Sequence, residues 1–366
     1  MAVTSDLATD QRVHRNCLAL MGMGYKVFLV GRRLPNSPDM SGRTYRFKRL
    51  QLLFTKGPLF YASFNLRLFF FLMSHRSHLI FANDLDTLFA CWLAAKLKGK
   101  KLVYDSHEYF TGVPELEGRP FVRRIWKSIE RMIVPRLETV ITVNESIAEL
   151  YRQEYHIPVT VIRNVPIAQG FTFDADHRAA IRAKLGVAAS EHLLILQGSG
   201  INKDRGAEEA VQAMQYLQNT KLLILGGGDV LNDLKALVKS AAIADKVIFM
   251  PRMPYLEMMQ HTAACDLGLT LDKDTNINYR FSLPNKVFDY IQAGIPVLAS
   301  KLVEVEKIVK GYDIGYVISS LDPKSMANAI QSALSDTETI ALKRKNLQLA
   351  RFELTWENEL KKFPKL

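Results

Sequence analysis

Short apolar runs alternate with amphipathic helical stretches along almost the whole chain, and the pattern occurs twice. In the first half the strand-like runs are YKVFLVG (25–31), HLIFAN (78–83), KLVYDS (101–106), TVITVN (139–144) and VTVIRN (159–164). Helical periodicity separates them at about 11–22, 58–74, 85–98, 121–135 and 145–154. The second half repeats the scheme with HLLILQG (192–198), KLLILGGG (221–228), KVIFM (246–250), DLGLTL (266–271) and IPVLAS (295–300). Its helices fall at about 206–217, 229–241, 254–264, 285–293 and 322–334. Continuous apolar runs joined by crossover helices are the mark of parallel sheets covered on both faces. The pattern predicts an α/β chain of two Rossmann-like domains. A length of 366 residues agrees with two domains rather than one.

Periodicity lapses over 165–190, which places the join there. The expected division is 1–165 and 166–349, with a last helical segment of about 338–362 whose end, from about 350 to 366, returns to the first domain. Residues 1–165 hold 24 Lys and Arg against 14 Asp and Glu, whereas the rest is nearly balanced at 24 against 23. A basic half beside a neutral half points to an anionic partner for one domain, or else to a solvated surface with surplus lysine and arginine. No nucleic-acid-binding pattern accompanies the charge, so anionic lipid is the expected partner and nucleic acid is not. Cys17, Cys91 and Cys265 stand singly among apolar neighbours, as reduced core thiols of a cytoplasmic protein do. The opening carries no apolar leader: Ser5 and Asp6 lead into a charged run to Arg15. The most apolar stretch, PLFYASFNLRLFFFLM (58–73), is too short to span a bilayer and contains Arg67. It reads as a buried helix or as one lying partly in the membrane interface.

Ligands of parallel α/β domains gather at the carboxyl ends of strands, and a cleft between two such domains is the default pocket. Five segments in those places carry candidate chemistry. QGSGINKDRGAEEA (197–210) brings Gly198, Ser199, Lys203 and Arg205 to a helix start, where small residues and two cations suit a diphosphate; an ordinary strand-to-helix turn is the other reading. LGGGDVLNDLKAL (225–237), with Gly227, lets a ligand approach the backbone or serves only tight packing. FSLPNKVFDYIQAGIPVLAS (281–300) has Ser282 as candidate N-cap, Pro284 in the first turn and Gly294 as the stop. Lys286 and Asp289 lie three apart on one helical face, either to hold phosphate and ribose or as an exposed ion pair. KLVYDSHEYF (101–110) ends in Asp105, His107 and Glu108, with a structural histidine as the alternative. SDLATDQRVHRN (5–16) sets Asp10 and Arg12 at a helix start. Asp84, beyond the run 78–83, completes the candidate acceptor and loop set of Asp10, Arg12, Asp84 and Glu108.

LATDQRVHR, YDSHE, GSGINKDRG, GGGD and above all LPNKVFDYIQAGIPV together resemble the retaining glycosyltransferase family 4, of GT-B fold, over essentially the whole chain, with the first strand clipped short. The resemblance implies two Rossmann-like domains facing each other across a cleft. It also implies transfer of a hexose or N-acetylhexosamine from a UDP- or GDP-linked donor to a glycan or lipid-linked acceptor. Anomeric configuration is retained, no metal or other cofactor is needed, and the setting is cell-surface polysaccharide synthesis at the inner face of a membrane. Arg205 and Lys203 would neutralise the donor diphosphate. Leu283, Pro284, Asn285 and Lys286 would line sugar and phosphate, and Asp289 would bind ribose. Arg252, in Met250-Pro251-Arg252, would border the nucleobase, and His107 would meet the donor sugar near the reacting carbon.

The sequence departs from the family pattern in two places. Phe281 stands where the first glutamate of the paired-glutamate motif belongs, and the second is shortened to Asp289. The amino-terminal loop, 6–12, also lacks the usual glycines. A lost carboxylate removes a partner for a sugar hydroxyl. The alternatives are therefore a non-catalytic nucleotide-sugar-binding or scaffold protein, and a nucleotide-sugar epimerase on the same fold.

Overall fold

The computed structural model describes residues 1–34, 37–167 and 175–365. It divides into two units, Met1–Asn164 with Leu360–Leu366, and Val165–Glu359.

Unit 1 is a parallel sheet of β1 (Ala2–Asp6), β2 (Phe28–Arg32), β3 (Arg46–Leu50), β4 (Leu79–Asn83), β5 (Lys101–Ser106), β6 (Thr139–Thr142) and β7 (Thr160–Val161). The strand order is β3-β2-β1-β4-β5-β6-β7, so the order reverses between β1 and β4. Its helices are α1 (Gln11–Gly22), α2 (Gly57–Ser74), α3 (Leu85–Lys98), α4 (Pro120–Ile133) and α5 (Glu145–Tyr155). Two strands escape the sequence pattern. The first strand is not lost: AVTSD forms β1 and pairs with both β2 and β4 at the centre of the sheet. Its five residues are too few and too polar at one end to register as an apolar run. The other, RFKRL (β3), lies at the sheet edge with Arg46 and Lys48 exposed, as charged edge strands do.

Unit 2 opens with α6 (Ala175–Lys184) and holds β8 (His192–Gly198), β9 (Thr220–Gly226), β10 (Val247–Met250), β11 (Leu267–Thr270), β12 (Val297–Ser300) and β13 (Gly315–Ile318). Their order is β10-β9-β8-β11-β12-β13, all parallel, with the reversal between β8 and β11. The helices are α7 (Ala207–Ala213), α8 (Leu231–Ser240), α9 (Tyr255–Ala263), α10 (Ile277–Arg280), α11 (Asn285–Ala293), α12 (Val303–Gly311), α13 (Pro323–Ser335), α14 (Thr337–Glu353) and α15 (Trp356–Leu360). Helix α6 corrects the expectation of irregular structure throughout 165–190. Two of its polar residues are engaged with the rest of the unit: Arg178 and Arg182 both pair with Asp266, at 2.5 and 3.1 Å. Part of that join, 168–174, lies outside the described residues. The single final helix expected over 338–362 is broken between α14 and α15, and α14 belongs to unit 2. Edge strand β13 and helix α12 were not anticipated; GYVI is half-buried along its length and gives no strong apolar run.

The stretch 58–73 forms a helix that is buried on one face and exposed on the other. Helix α2 buries Phe60, Phe64, Leu68, Phe71 and Leu72 on one stripe. Leu59, Leu66 and Phe70 are 58, 59 and 62% exposed on the other. Among the described residues, no helix is long and apolar enough to cross a membrane. All three cysteines are buried and unpaired.

Candidate active site

Unit 2 gathers its candidates at the carboxyl edge of the sheet, beside the reversal between β8 and β11. The loop after β8 is anchored by backbone. Gly206, in the left-handed region at φ 72°, packs so close to Leu271 that a Cβ would meet its carbonyl oxygen at 2.4 Å. Lys273 N–H then donates to the Asp204 carbonyl at 2.8 Å, tying this loop to the one after β11. The glycines 226–228 serve packing. A Cβ on Gly226 would lie 1.9 Å from the Gly198 carbonyl oxygen, and one on Gly228 would lie 2.0 Å from that of Ile201. Ile201 N–H donates to the Gly227 carbonyl at 2.8 Å, so the two glycine turns interlock. Arg252 lies over Gly227 and donates to the Ser199 carbonyl. Gly198, Ser199, Gly227 and Arg252 are thereby one assembly.

The charged centre is Arg205, Lys286 and Asp272. Asp272 follows β11 and is fully buried. Arg205 Nη1 stands 3.5 Å from its Oδ2 and Lys286 Nζ 3.6 Å from its Oδ1. Both carboxylate oxygens, and Arg205 Nε, lack a hydrogen-bond partner among the described residues. The three groups are therefore near neighbours held beyond full hydrogen-bonding distance, and the cations keep donors for another anion. Tyr279 supports the Arg205 guanidinium, 5.1 Å from ring centroid to carbon. Burial lowers the Lys286 pKa, with Arg205 adding to the effect, while Asp272 opposes it. A bound diphosphate would reverse that balance and hold the ammonium charged. Lys203 is exposed on the turn of the same loop.

Helix α11 presents Lys286 from its first turn. Ser282 is not its N-cap: Pro284 takes that position, with no side-chain cap, and the helix begins at Asn285. At the helix start Val287 N–H donates to the Pro284 carbonyl at 3.1 Å, with Leu283 and Pro284 half-buried and Asn285 exposed. Lys286 and Asp289 do not pair. Asp289 instead accepts from Gln197 Nε2 at 3.1 Å and Tyr255 Oη at 3.0 Å. Next to it, Tyr290 Oη donates to the Leu269 carbonyl at 3.0 Å and clamps α11 onto the sheet. Gly268 leaves the space for that ring, since a Cβ there would meet it at 2.5 Å. Phe281 is half-buried at the end of α10.

In unit 1 the titratable residues converge on Asp105, at the end of β5. Arg12 spans its carboxylate with Nη2 to Oδ1 at 2.5 Å and Nε to Oδ2 at 3.0 Å, and Asn16 donates to Oδ2 at 2.7 Å. Arg12 also donates to the Ile162 carbonyl at 2.8 Å. It is 3% exposed, so its role here is to neutralise and fix Asp105. Asp10 caps α1, accepting from Val13 N–H at 3.0 Å and from Ser5 Oγ at 2.7 Å. His107 lies between two carboxylates, Nδ1 3.1 Å from Asp84 and Nε2 3.2 Å from Asp105. Burial works against its charge, but the two carboxylates outweigh burial and hold its pKa well above the ordinary histidine value. The surroundings thus favour the charged ring, with both nitrogens facing carboxylates. Asp84 also accepts from the His107 backbone N–H at 2.9 Å, and it does so from φ 62° and ψ 163°, a region that favours glycine. Glu108 follows on the same loop, half-buried, its carbonyl accepting from Ser106 Oγ at 2.7 Å.

Sequence reasoning missed Asp272, Tyr290 and Asp86. Asp272 obeys the rule that located Arg205, as a polar residue just beyond a buried strand. Asp86 is buried on the first turn of α3, takes a hydrogen bond from Thr4 Oγ1, and is pushed by burial and the like charge of Asp84 up to about 7. Nothing in the residue pattern marks it, because its burial depends on packing of α2 and α3.

Two parallel sheets, each with its polar residues at the carboxyl edge beside the strand reversal, define a GT-B-type α/β chain. The model of Glycosyltransferase Family 4 matches residues 10–165 and that of Glycosyl transferases group 1 matches residues 178–348. The chain belongs to the family 4 glycosyltransferases. It is similar to sucrose-phosphate synthase from Thermosynechococcus elongatus, with a TM-score of 0.77, 20% identity and 96% and 90% of the two chains covered. It is also similar to HepE of Anabaena in complex with UDP and glucose, with a TM-score of 0.76, 16% identity and 98% and 96% covered. Among curated proteins it is 24% identical over 183 residues to a GDP-mannose-dependent alpha-(1-6)-phosphatidylinositol monomannoside mannosyltransferase of Mycolicibacterium smegmatis, covering 47% of this chain and 46% of that protein. It is 24% identical over 161 residues to N-acetyl-alpha-D-glucosaminyl L-malate synthase of Bacillus anthracis, covering 43% and 40%. The matched region thus spans less than half the length of either curated relative.

Proposed function

We propose that this chain transfers a hexose or N-acetylhexosamine from a UDP- or GDP-linked donor to a glycan or lipid-linked acceptor, with retention of anomeric configuration. The observation that carries the reading is the Arg205–Asp272–Lys286 centre: two cations with unspent donors, positioned by a buried carboxylate at the strand reversal of unit 2. The hard step is departure of a diphosphate from an oxocarbenium-like carbon. Fixed cations aimed at that leaving group lower its cost without reorganising during the reaction. Here they replace the charge of a divalent metal, so no metal is assigned. Asp289, already held by Gln197 and Tyr255, is offered to the ribose hydroxyls. The curated relatives support the donor class, one by its GDP-mannose and the other by its glucosaminyl transfer product.

His107 acts as a fixed positive charge and not as a base or nucleophile, because both ring nitrogens are committed to carboxylates. Asp105 is equally committed to Arg12, Asn16 and His107, so it is no double-displacement nucleophile. That favours attack by the acceptor on the face the leaving group vacates. Work at the cytoplasmic face of a membrane, in surface-polysaccharide assembly, agrees with the basic unit 1 and the exposed apolar face of α2.

Phe281 supports a second reading, a nucleotide-sugar-binding protein without transfer, since it offers no carboxylate to a sugar hydroxyl. A panel of nucleotide sugars separates the two, read by thermal shift and by slow donor hydrolysis with and without chelator. A donor that stabilises the chain and is hydrolysed under chelator supports metal-independent transfer. Stabilisation without hydrolysis, with or without added acceptors, supports the second reading.

A further inference from the structure

A groove of about 530 Å³ lies in unit 1 between α4 and the loop that follows β5, with Tyr109, Arg123, Arg124, Lys127 and Arg131 in its wall. Tyr109 is two residues beyond His107, on the loop that follows β5. Its floor is rigid. Lys127 Nζ is 2.8 Å from Glu130 and 2.5 Å from Glu154, and it donates to Tyr109 Oη at 3.0 Å. Arg131 has Glu154 at 3.6 Å. Arg123 and Arg124 have no ion-pair partner among the described residues, and Glu117 is the one carboxylate in the lining. Along one helix, Arg124 stands three residues before Lys127, and Arg123 and Arg131 stand four residues to either side of it. Glu130 and Glu154 offset that like-charged spacing at Lys127 and Arg131, and Arg123 and Arg124 are left without such an offset among the described residues. The rim beside them is apolar, with Phe121 72% and Ile125 46% exposed.

We propose that this groove binds the phosphate or diphosphate group of the acceptor, held by the guanidinium groups of Arg123 and Arg124. Planar guanidinium forks match phosphate oxygens two at a time, and a confined groove restricts the group's orientation. The apolar rim suits a phosphate that carries a lipid. The assignment rests on reading unit 1 as the acceptor side of a transferase, but its test does not require turnover.

The probe is inorganic pyrophosphate, titrated by calorimetry in an Arg205→Ala background so that the donor centre is weakened equally in every sample. The ¹⁵N-indole resonance of Trp126 on α4, assigned by Trp126→Phe, gives a local readout. The expected result is a salt-sensitive Trp126 shift and binding at least tenfold weaker in Arg123→Gln/Arg124→Gln. Both arginines are exposed, so the variant is expected to fold, and donor-induced thermal stabilisation of the otherwise wild-type chain checks that unit 2 is intact. In a second arm, neutral vesicles doped with a diphosphate-headed lipid distinguish the source of the phosphate. Capture that soluble pyrophosphate competes away assigns a lipid-linked group, and pyrophosphate binding without vesicle capture assigns a soluble phosphorylated acceptor. Vesicle capture that pyrophosphate does not compete, or pyrophosphate binding unaltered by the double substitution, overturns the proposal. Failure of donor hydrolysis alone would instead count against transfer.

Discussion

Asp84 holds His107 at a cost to its own backbone, and replacing it in two ways separates these effects. A residue at φ 62° and ψ 163° occupies a region open to glycine and strained by about 1–3 kcal/mol for other residues. Its carboxylate meanwhile takes the backbone N–H of His107 at 2.9 Å and faces Nδ1 at 3.1 Å. Charge-assisted hydrogen bonds of this kind contribute about 1.5–3 kcal/mol. Asp84→Ala loses the bonds and keeps the strain. Asp84→Gly loses the bonds and releases the strain, less about 0.4–1 kcal/mol for the freer unfolded chain. The glycine variant should therefore be more stable than the alanine variant by about 1–2 kcal/mol, from those two terms. In a domain of this size that corresponds to roughly 2–8 °C in the unit 1 transition. Urea and thermal unfolding followed at Trp92 and Trp126 measure the difference. Both variants should nevertheless lose donor turnover alike, because in both the histidine loses a carboxylate and its pKa falls. Equal stability of the two variants would refute the strain argument. A glycine variant with wild-type turnover and an unchanged His107 titration would refute the positioning argument.

Arg205→Ala removes one of two cations facing the leaving diphosphate and should lower donor turnover by about 10²–10³; near-wild-type turnover would sink the phosphate assignment. Gly228→Ala places a Cβ 2.0 Å from the Ile201 carbonyl oxygen, a backbone atom with no slack, so unit 2 should lose thermal stability where Gly311→Ala, in open space, does not. Asp86 has a folded pKa of about 7 against 3.8 unfolded, so its contribution to stability is fully present below about pH 4 and is lost as pH rises through 7. Asp86→Asn removes that loss, and its stability relative to wild type should rise between pH 5 and pH 8 in parallel unfolding curves.

Much of this architecture is legible from residues alone, for an identifiable reason. Strands such as HLLILQG and KLVYDS are buried on both faces, so their apolar runs are unbroken and stand out against helical periodicity. Edge strands obey other rules: RFKRL is charged because it must resist further pairing, and no apolar pattern reveals it. The same contrast runs through the site. Arg205 and Lys286 were found because they follow strands or open helices. What each one touches was not visible, because Asp272 comes from a third segment and only the fold sets it between them. Lys286 and Asp289 show the limit of helical spacing as evidence. Three residues apart, they share a helix yet answer to different partners, one in the β11 loop and one at the end of β8.

Unit 1 is discontinuous, made of Met1–Asn164 and Leu360–Leu366. On the ribosome, its sheet and the Arg12–Asp105 pair can form once Ile162 has emerged, but its second segment, Leu360–Leu366, emerges only after unit 2. All of unit 2 is translated in between. A nascent chain must therefore hold an unfinished first domain, with the exposed apolar face of α2 already displayed, while the second is completed. The order of synthesis makes unit 1 close after unit 2, although it begins before it.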